Sequence, residues 1–425
     1  MSRAMRDSGI PWIGDIPQKW STDTIGSLYS LRNEKVSDRD YPPLSVTKNG
    51  VVPQLENAAK TDDGDNRKLV RKGDFAINSR SDRRGSCGIS DYDGSVSLIN
   101  TIITPRKEMN PQFYNWFFHS EAFADEFYKW GHGIVDDLWT TRWQEMKRIS
   151  VVLPSLPEQQ KIATFLNEKC GEIDETIALQ GEFIEELKTY RQSVITEAVT
   201  NGLDSKALLK SSGIDLIGDI PQDWEVARLK QFTSKIGSGS TPSGGASVYV
   251  KEGIRFIRSQ NVYNSGFVLD DIVYITEKTN EQMKGTQVMV NDILFNITGG
   301  SIGRCYIVDE TMGKANVNQH VSIVRPSKIN GKFLMYFLQS DVSQKQVAIL
   351  QTGGNREGLT SSAFGEFKIT IPSEIEQCEI VNYLDEKCAE IDSLIAIKQQ
   401  KIEELKEYKK SIIYEYVTGK KEVDG

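Results

Sequence analysis

Apolar and polar positions follow two different rhythms along this chain. Over residues 154–200 and again over 372–418, apolar side chains recur at alternating steps of four and three, and good helix formers fill the positions between them. Each stretch predicts one long helix. In heptad register the first carries a seam of Leu166, Ile173, Ile177, Ile184, Leu187 and Val194, with Cys170 and Ala198 on the same stripe. The second carries Leu384, Ile391, Ile395, Ile402, Leu405 and Ile412, with Cys388 and Tyr416. Polar residues interrupt both seams at matching places, Gln180 with Lys398 and Arg191 with Lys409. At about 1.5 Å per residue such helices reach roughly 65 to 70 Å, more than a compact domain of this size needs. The helices could pack separately on their own cores, but a shared narrow seam favours pairing with each other.

Laid on each other without a gap, the two stretches agree at 25 of 47 positions, so this is an internal repeat. A second repeat precedes it. The segment 8–20, Ser-Gly-Ile-Pro-Trp-Ile-Gly-Asp-Ile-Pro-Gln-Lys-Trp, returns at 212–224 with ten of thirteen positions identical. Each half of the chain therefore runs in one order: opening motif, globular region, long helix. If the termini of the region between the helices lie close together, the helices run antiparallel and the expected shape is a dumbbell with internal pseudo-twofold symmetry.

Between the repeats the rhythm shortens. Residues 72–78 align with 290–296 as a strand entered through a turn, and 113–120 align with 333–340 at a spacing that suits a short helix. β-Branched runs at 97–104, 272–276 and 321–324 are bounded by Gly, Asn and Asp. The fold class expected is α+β: two globular mixed α/β regions, 1–152 and 204–370, joined by long antiparallel helices over 153–203 and 371–420, with a short tail at 421–425.

Composition changes this picture only a little. The 425 residues are 38% hydrophobic and 26% charged, an ordinary globular balance. With no long apolar run and no leader pattern at 1–9, a cytoplasmic location is expected. Five Cys without Cys-x-x-Cys spacing argue against a zinc site or a disulfide framework, and no metal is expected. The net charge of -8 is unevenly placed: residues 1–150 balance at zero and 205–370 carry +3, whereas the helical stretches 151–204 and 371–425 carry -6 and -5. Globular regions less acidic than the helices between them are compatible with nucleic acid.

Catalytic signatures are weak. Asn110-Pro111-Gln112-Phe113 resembles the Asn-Pro-Pro-Phe signature of amino-methylating DNA methyltransferases, but the second Pro and a cofactor loop are missing. The Gly-rich run 237–245 has no Lys where a phosphate-cradling loop needs one. His119, His132 and His320 are scattered, so no catalytic residue is assigned. Binding residues are better marked. Arg80, Arg83 and Arg84 occupy a polar loop after a strand, where a guanidinium fork can meet phosphate or guanine. The matching loop in the second half carries Asn296 and Arg304. Arg255, Arg258 and Gln260 follow one another as on a strand, which would put Arg258 and Gln260 on one face. Late loops bearing Arg142 in one half, and Asn355 and Arg356 in the other, precede the long helices at equivalent places.

These features resemble the specificity subunit of Type I restriction–modification systems. The likeness rests on two unlike globular regions, each closed by Leu/Ile-Pro-x-x-x-Glu-Gln (Leu153-Pro154 with Glu158-Gln159; Ile371-Pro372 with Glu376-Gln377) and a long helix. Ile16-Pro17 with Trp20, Ile220-Pro221 with Trp224, Gly73-Asp74 and Asn318-Gln319 match as well, while Asn291 departs from the turn Gly. The resemblance implies two target recognition domains that read the halves of a split, asymmetric site in double-stranded DNA, with the helices as spacer. It implies no active site in this chain. The partners implied are two modification (methyltransferase) subunits and ATP-driven restriction/translocase subunits, with S-adenosylmethionine, ATP and Mg bound by those partners rather than here. A helix of about 70 Å against 3.4 Å per base pair would cap the half-site separation at roughly 20 base pairs. Two other readings stay open: a self-sufficient DNA methyltransferase or nuclease, and a coiled-coil scaffold without DNA contact.

Overall fold

The computed structural model describes residues 3–54, 64–133, 139–351 and 358–423. The two heptad stripes form uninterrupted helices, Leu156–Asn201 and Glu374–Val417, of 46 and 44 residues. By packing, the chain forms two compact units whose limits fall within these helices. One unit comprises Met1–Gly181 with Gln399–Gly425, and the other Glu182–Lys398. Each unit thus holds one globular region and a segment of both helices.

Within each unit the helical segments run antiparallel. In the first, Phe165 packs on Tyr416 with ring centroids 4.4 Å apart, and Lys409 donates to Asp174 at 2.6 Å. In the second, the Lys398 ammonium lies 4.8 Å from the Phe183 ring centre and Arg191 Nε lies 3.2 Å from Asp392. One pair of polar interruptions is therefore ion-paired across the seam: Arg191 and Lys409 are repeat equivalents, and so are their partners Asp392 and Asp174. Leu166, Ile173, Ile184, Val194, Leu384, Ile391 and Ile412 are buried, and Ile177, Leu187, Ile395, Ile402 and Leu405 are half-buried. Full burial of one such side chain stabilises by about 1.5 to 3 kcal/mol.

The globular regions repeat each other's topology where their sequences have diverged. In the first, a four-stranded sheet runs Cys87–Ile89, Phe75–Asn78, Asn100–Pro105, Tyr29–Arg32; in the second the order is Cys305–Ile307, Ile293–Asn296, Val321–Pro326, Thr233–Ser238. A three-stranded sheet accompanies each, and in the second unit it is mixed, because Ile254–Ile257 pairs parallel with Ala315–Val317 and antiparallel with Val273–Ile275. The turn before each central strand is left-handed, at Gly73 (φ 88) and Asn291 (φ 72). Asn is among the few side chains that tolerate this region, so the departure from Gly keeps the turn. Behind it Asp74 accepts from Arg32 at 2.7 Å and Asp292 from Arg325 at 2.7 Å.

The repeated motifs fasten each globular region to its helices. Trp20 and Trp224, both buried, donate their indole N–H to Glu158 and Glu376 at 3.1 Å. The adjacent Gln159 and Gln377 are buried too. Their amide oxygens accept the backbone N–H of Asn110 and Asn330 at 2.8 Å, and their amide nitrogens donate to the Pro154 and Pro372 carbonyls at 2.9 Å. Asn110 and Asn330 in turn cap the short helices Pro111–His119 and Gly331–Gln339. The Glu-Gln pair thus sets a helix start, an aromatic anchor and a second helix in one hydrogen-bonded cluster. Both long helices end at glycines of positive φ, Gly202 and Gly419, where a Cβ would press on Trp224 and Trp20 at 3.2 and 2.9 Å.

Candidate nucleic-acid interface

In the first unit the chain leaves the central strand at Asn78, whose side-chain oxygen accepts the Arg80 N–H at 3.1 Å and starts a 3-10 turn over Ser81–Arg83. The late loop lies against this turn. Ser81 N–H donates to the Trp139 carbonyl at 3.1 Å and Thr141 N–H to the Ser79 carbonyl at 3.0 Å. The two loops singled out in the sequence are therefore side by side, Arg80, Arg83 and Arg84 on one and Arg142 on the other. Their guanidiniums differ in availability. Arg84 is ion-paired with Asp125, and Arg83 Nε lies 3.5 Å from Asp82. Arg80 and Arg142 have no side-chain hydrogen bond or ion pair among the described residues.

The second unit builds the same strand and turn over Ile293–Asn296 and Gly299–Ser301. Leu359 N–H donates to the Ile297 carbonyl at 2.8 Å, the repeat equivalent of the Thr141 to Ser79 bond. Asn355 and Arg356 lie outside the described residues. Asn296 is not a reading residue in this arrangement: it is fully buried and donates its amide to the Ser259 carbonyl at 2.8 Å. Arg304 lies over the Tyr263 ring, 4.8 Å from its centre, so its fork is oriented by stacking. Arg255 also departs from the expectation. It projects from the strand Ile254–Ile257 and donates to the carbonyls of Thr311, at 2.8 Å, and Met312, fastening a turn.

That strand ends at Ile257, and Ser259–Asn261 forms a 3-10 turn rather than continuing the alternation. Arg258 and Gln260 nevertheless converge, on Asp271. Arg258 Nη2 donates to the Asp271 carbonyl at 2.6 Å and its carboxylate at 3.1 Å, and the Gln260 amide donates to the same carboxylate. The Gln260 hydrogen bond, helped by the Arg258 charge and the Asn261 amide, holds the Asp271 carboxyl below the ordinary carboxylate range against the opposing effect of burial. Asp271, Asp125 and Tyr263 carry no signal in the sequence, since each is recognisable only by the Arg it meets across the fold.

Side chains of catalytic type are engaged structurally. Asn110 accepts from the Phe113 N–H at 3.0 Å and donates to Gln160, the work of a helix cap. His119 Nδ1 meets the Asn115 carbonyl at 2.7 Å, and burial pushes its pKa down. Burial pushes the Cys87 and Cys305 thiols far above the ordinary range, away from thiolate. Among the described residues no group of three or more His, Cys, Asp or Glu is placed to hold a metal, and no helix is long and apolar enough to cross a membrane.

Residues 221–407 match the family described as the Type I restriction modification DNA specificity domain. The putative type I restriction enzyme MjaX specificity subunit of Methanocaldococcus jannaschii is 23% identical over 437 aligned residues, covering 96% of this chain and 95% of that protein. The MjaVIII specificity subunit of the same organism is 28% identical over 64% of this chain, and the EcoBI specificity subunit of Escherichia coli is 30% identical over 57% of it. The matches span only 62% and 52% of those two relatives. Among solved structures, a chain from a study of complex assembly and conformational transition in the type I R-M system superposes with a TM-score of 0.71 at 16% identity, covering 95% of this chain and 98% of that one. The HsdS subunit of Thermoanaerobacter tengcongensis gives 0.51 at 16% identity, with 95% and 98% covered. Both likenesses are of fold.

Proposed function

We propose that this chain is a specificity subunit of the Type I restriction–modification family, that it recognises a bipartite, asymmetric target in double-stranded DNA and that it assembles the modification and restriction subunits that act there. The observation that carries this reading is the repeated loop pair. Each unit sets a turn after its central strand beside a late loop, and Arg80, Arg142 and Arg304 present guanidiniums that no carboxylate among the described residues occupies. Loops of one architecture with unlike side chains favour unlike half-sites. Phosphate contacts would position each unit and base-edge contacts would specify the sequence.

In this reading the subunit is non-catalytic. S-adenosylmethionine, ATP and Mg belong to the partners: two modification subunits, and restriction/translocase subunits where the full complex forms. The acidic helices, net -6 and -5 over 151–204 and 371–425, repel DNA and suit protein docking. The test is DNA binding by the assembled modification complex with Arg80→Ala, Arg142→Ala and Arg304→Ala combined. Affinity should fall at least tenfold, with a shallower salt dependence. Unchanged affinity would favour a scaffold without DNA contact.

A further inference from the structure

We propose that Asp271 is a positioning residue that sets base specificity in the second unit, holding Gln260 so that its amide reads the major-groove edge of an adenine. The proposal rests on the DNA-recognition reading above.

A carboxylate only accepts hydrogen bonds, so the group that Gln260 turns to Asp271 must be its NH2. The amide oxygen and one remaining N–H then have no partner among the described residues, on an exposed side chain. The backbone beneath is equally determined. Asn261, fully buried, accepts the Arg258 N–H at 3.0 Å and donates to the Val268 carbonyl at 2.9 Å and to Asp271 Oδ1 at 2.8 Å. Asn296 ties the neighbouring Ser259 to the loop that carries Arg304. Asp271 thus collects donors from Arg258, Gln260 and Asn261, and its charge offsets that of Arg258.

The consequence is chemical selectivity. A terminal amide torsion is broad and roughly two-fold, so an untethered Gln presents its oxygen or its nitrogen with similar ease. Tethered by Asp271, it presents an acceptor beside a donor. Adenine offers the complement, the N6 amino donor next to the N7 acceptor, whereas guanine offers two acceptors, O6 and N7, one of which would face the Gln260 oxygen.

The experiment compares assembled modification complexes containing the wild-type chain, Asp271→Asn, Gln260→Ala and, as a control, the exposed neighbour Asp270→Asn, by mapping adenine methylation at single-base resolution. Asp271→Asn keeps an acceptor for Asn261 but turns an NH2 toward Gln260, which draws the amide oxygen in place of the amide NH2. Both Asp271→Asn and Gln260→Ala should relax the same adenine position of one half-site by roughly tenfold, leaving the other half-site and the control unchanged. A motif left intact by both variants, relaxation at two different positions, or a uniform loss across all positions would overturn the proposal while the recognition reading stands. A wild-type complex with active modification subunits and no motif would overturn both. Should Asp271→Asn not assemble, Gln260→Ala alone decides by the same criterion.

Discussion

Trp224 donates its indole N–H to Glu376 at 3.1 Å, joining an opening motif to the start of a helix 152 residues later. Trp20 and Glu158 repeat the bond at the same 3.1 Å. Trp224→Phe keeps most of the ring but removes the donor. It should destabilise the second unit by about 1 to 3 kcal/mol, read as a lower urea midpoint. An unchanged midpoint would mean that the ring alone anchors the motif.

The same two carboxylates predict a pH dependence. Burial raises each pKa, but hydrogen bonds from the indole and from Ser155 or Ser373 outweigh it, so both sit below the ordinary Glu value of 4.5. A depressed folded-state pKa means that the unfolded chain takes up the proton first. The contribution is therefore fully present above 4.5 and is lost as pH falls through the folded value. Urea midpoints measured from pH 7 down to the acid limb should drop less steeply in Glu158→Gln/Glu376→Gln than in the wild type.

Lys409 and Asp174 hold the helix pair in register in the first unit, as Arg191 and Asp392 do in the second. Exposed pairs of this kind contribute on the order of 0.2 to 1 kcal/mol. In a double-mutant cycle Lys409→Asp should destabilise, and Lys409→Asp with Asp174→Lys should recover most of the loss. Recovery by an unrelated Asp→Lys change elsewhere on the helices would point to net charge instead.

The Arg residues should separate into two classes. Arg80→Ala and Arg304→Ala should each weaken DNA binding by the assembled complex roughly tenfold, since no carboxylate among the described residues pairs with either fork and both can meet phosphate or guanine. Arg255→Ala should leave DNA affinity unchanged and lower the stability of the second unit by about 1 to 3 kcal/mol, because its guanidinium serves the Thr311 and Met312 carbonyls. Parallel binding isotherms and urea titrations distinguish the classes.

The helices were legible in the sequence because their stabilising contacts recur locally: a heptad stripe shows Leu166 and Ile391 as seam residues without any knowledge of the partner. The strand at Phe75–Asn78 and the helix at Pro111–His119 were legible for the same reason. Roles that depend on distant partners were not. Glu158 and Gln159 stood out as a motif, but their bonds to Trp20 and Asn110 join positions 138 and 49 residues apart. Asn296 and Arg255 looked like readers because side-chain type is visible while burial and the carbonyls they serve are not. Arg258 and Gln260 come together by a different route from the one their spacing suggests. A strand would put them on one face, yet it is Asp271 beside a 3-10 turn that unites them.

The central claim is that the two units read two different half-sites. The most direct measurement is genome-wide, single-base mapping of adenine methylation in cells that express this chain with cognate modification subunits, against cells that lack it. The account predicts one new motif, split by a non-specific spacer and asymmetric between its halves. Assembly with active modification subunits but without a new motif, or with a motif of one undivided part, would contradict it.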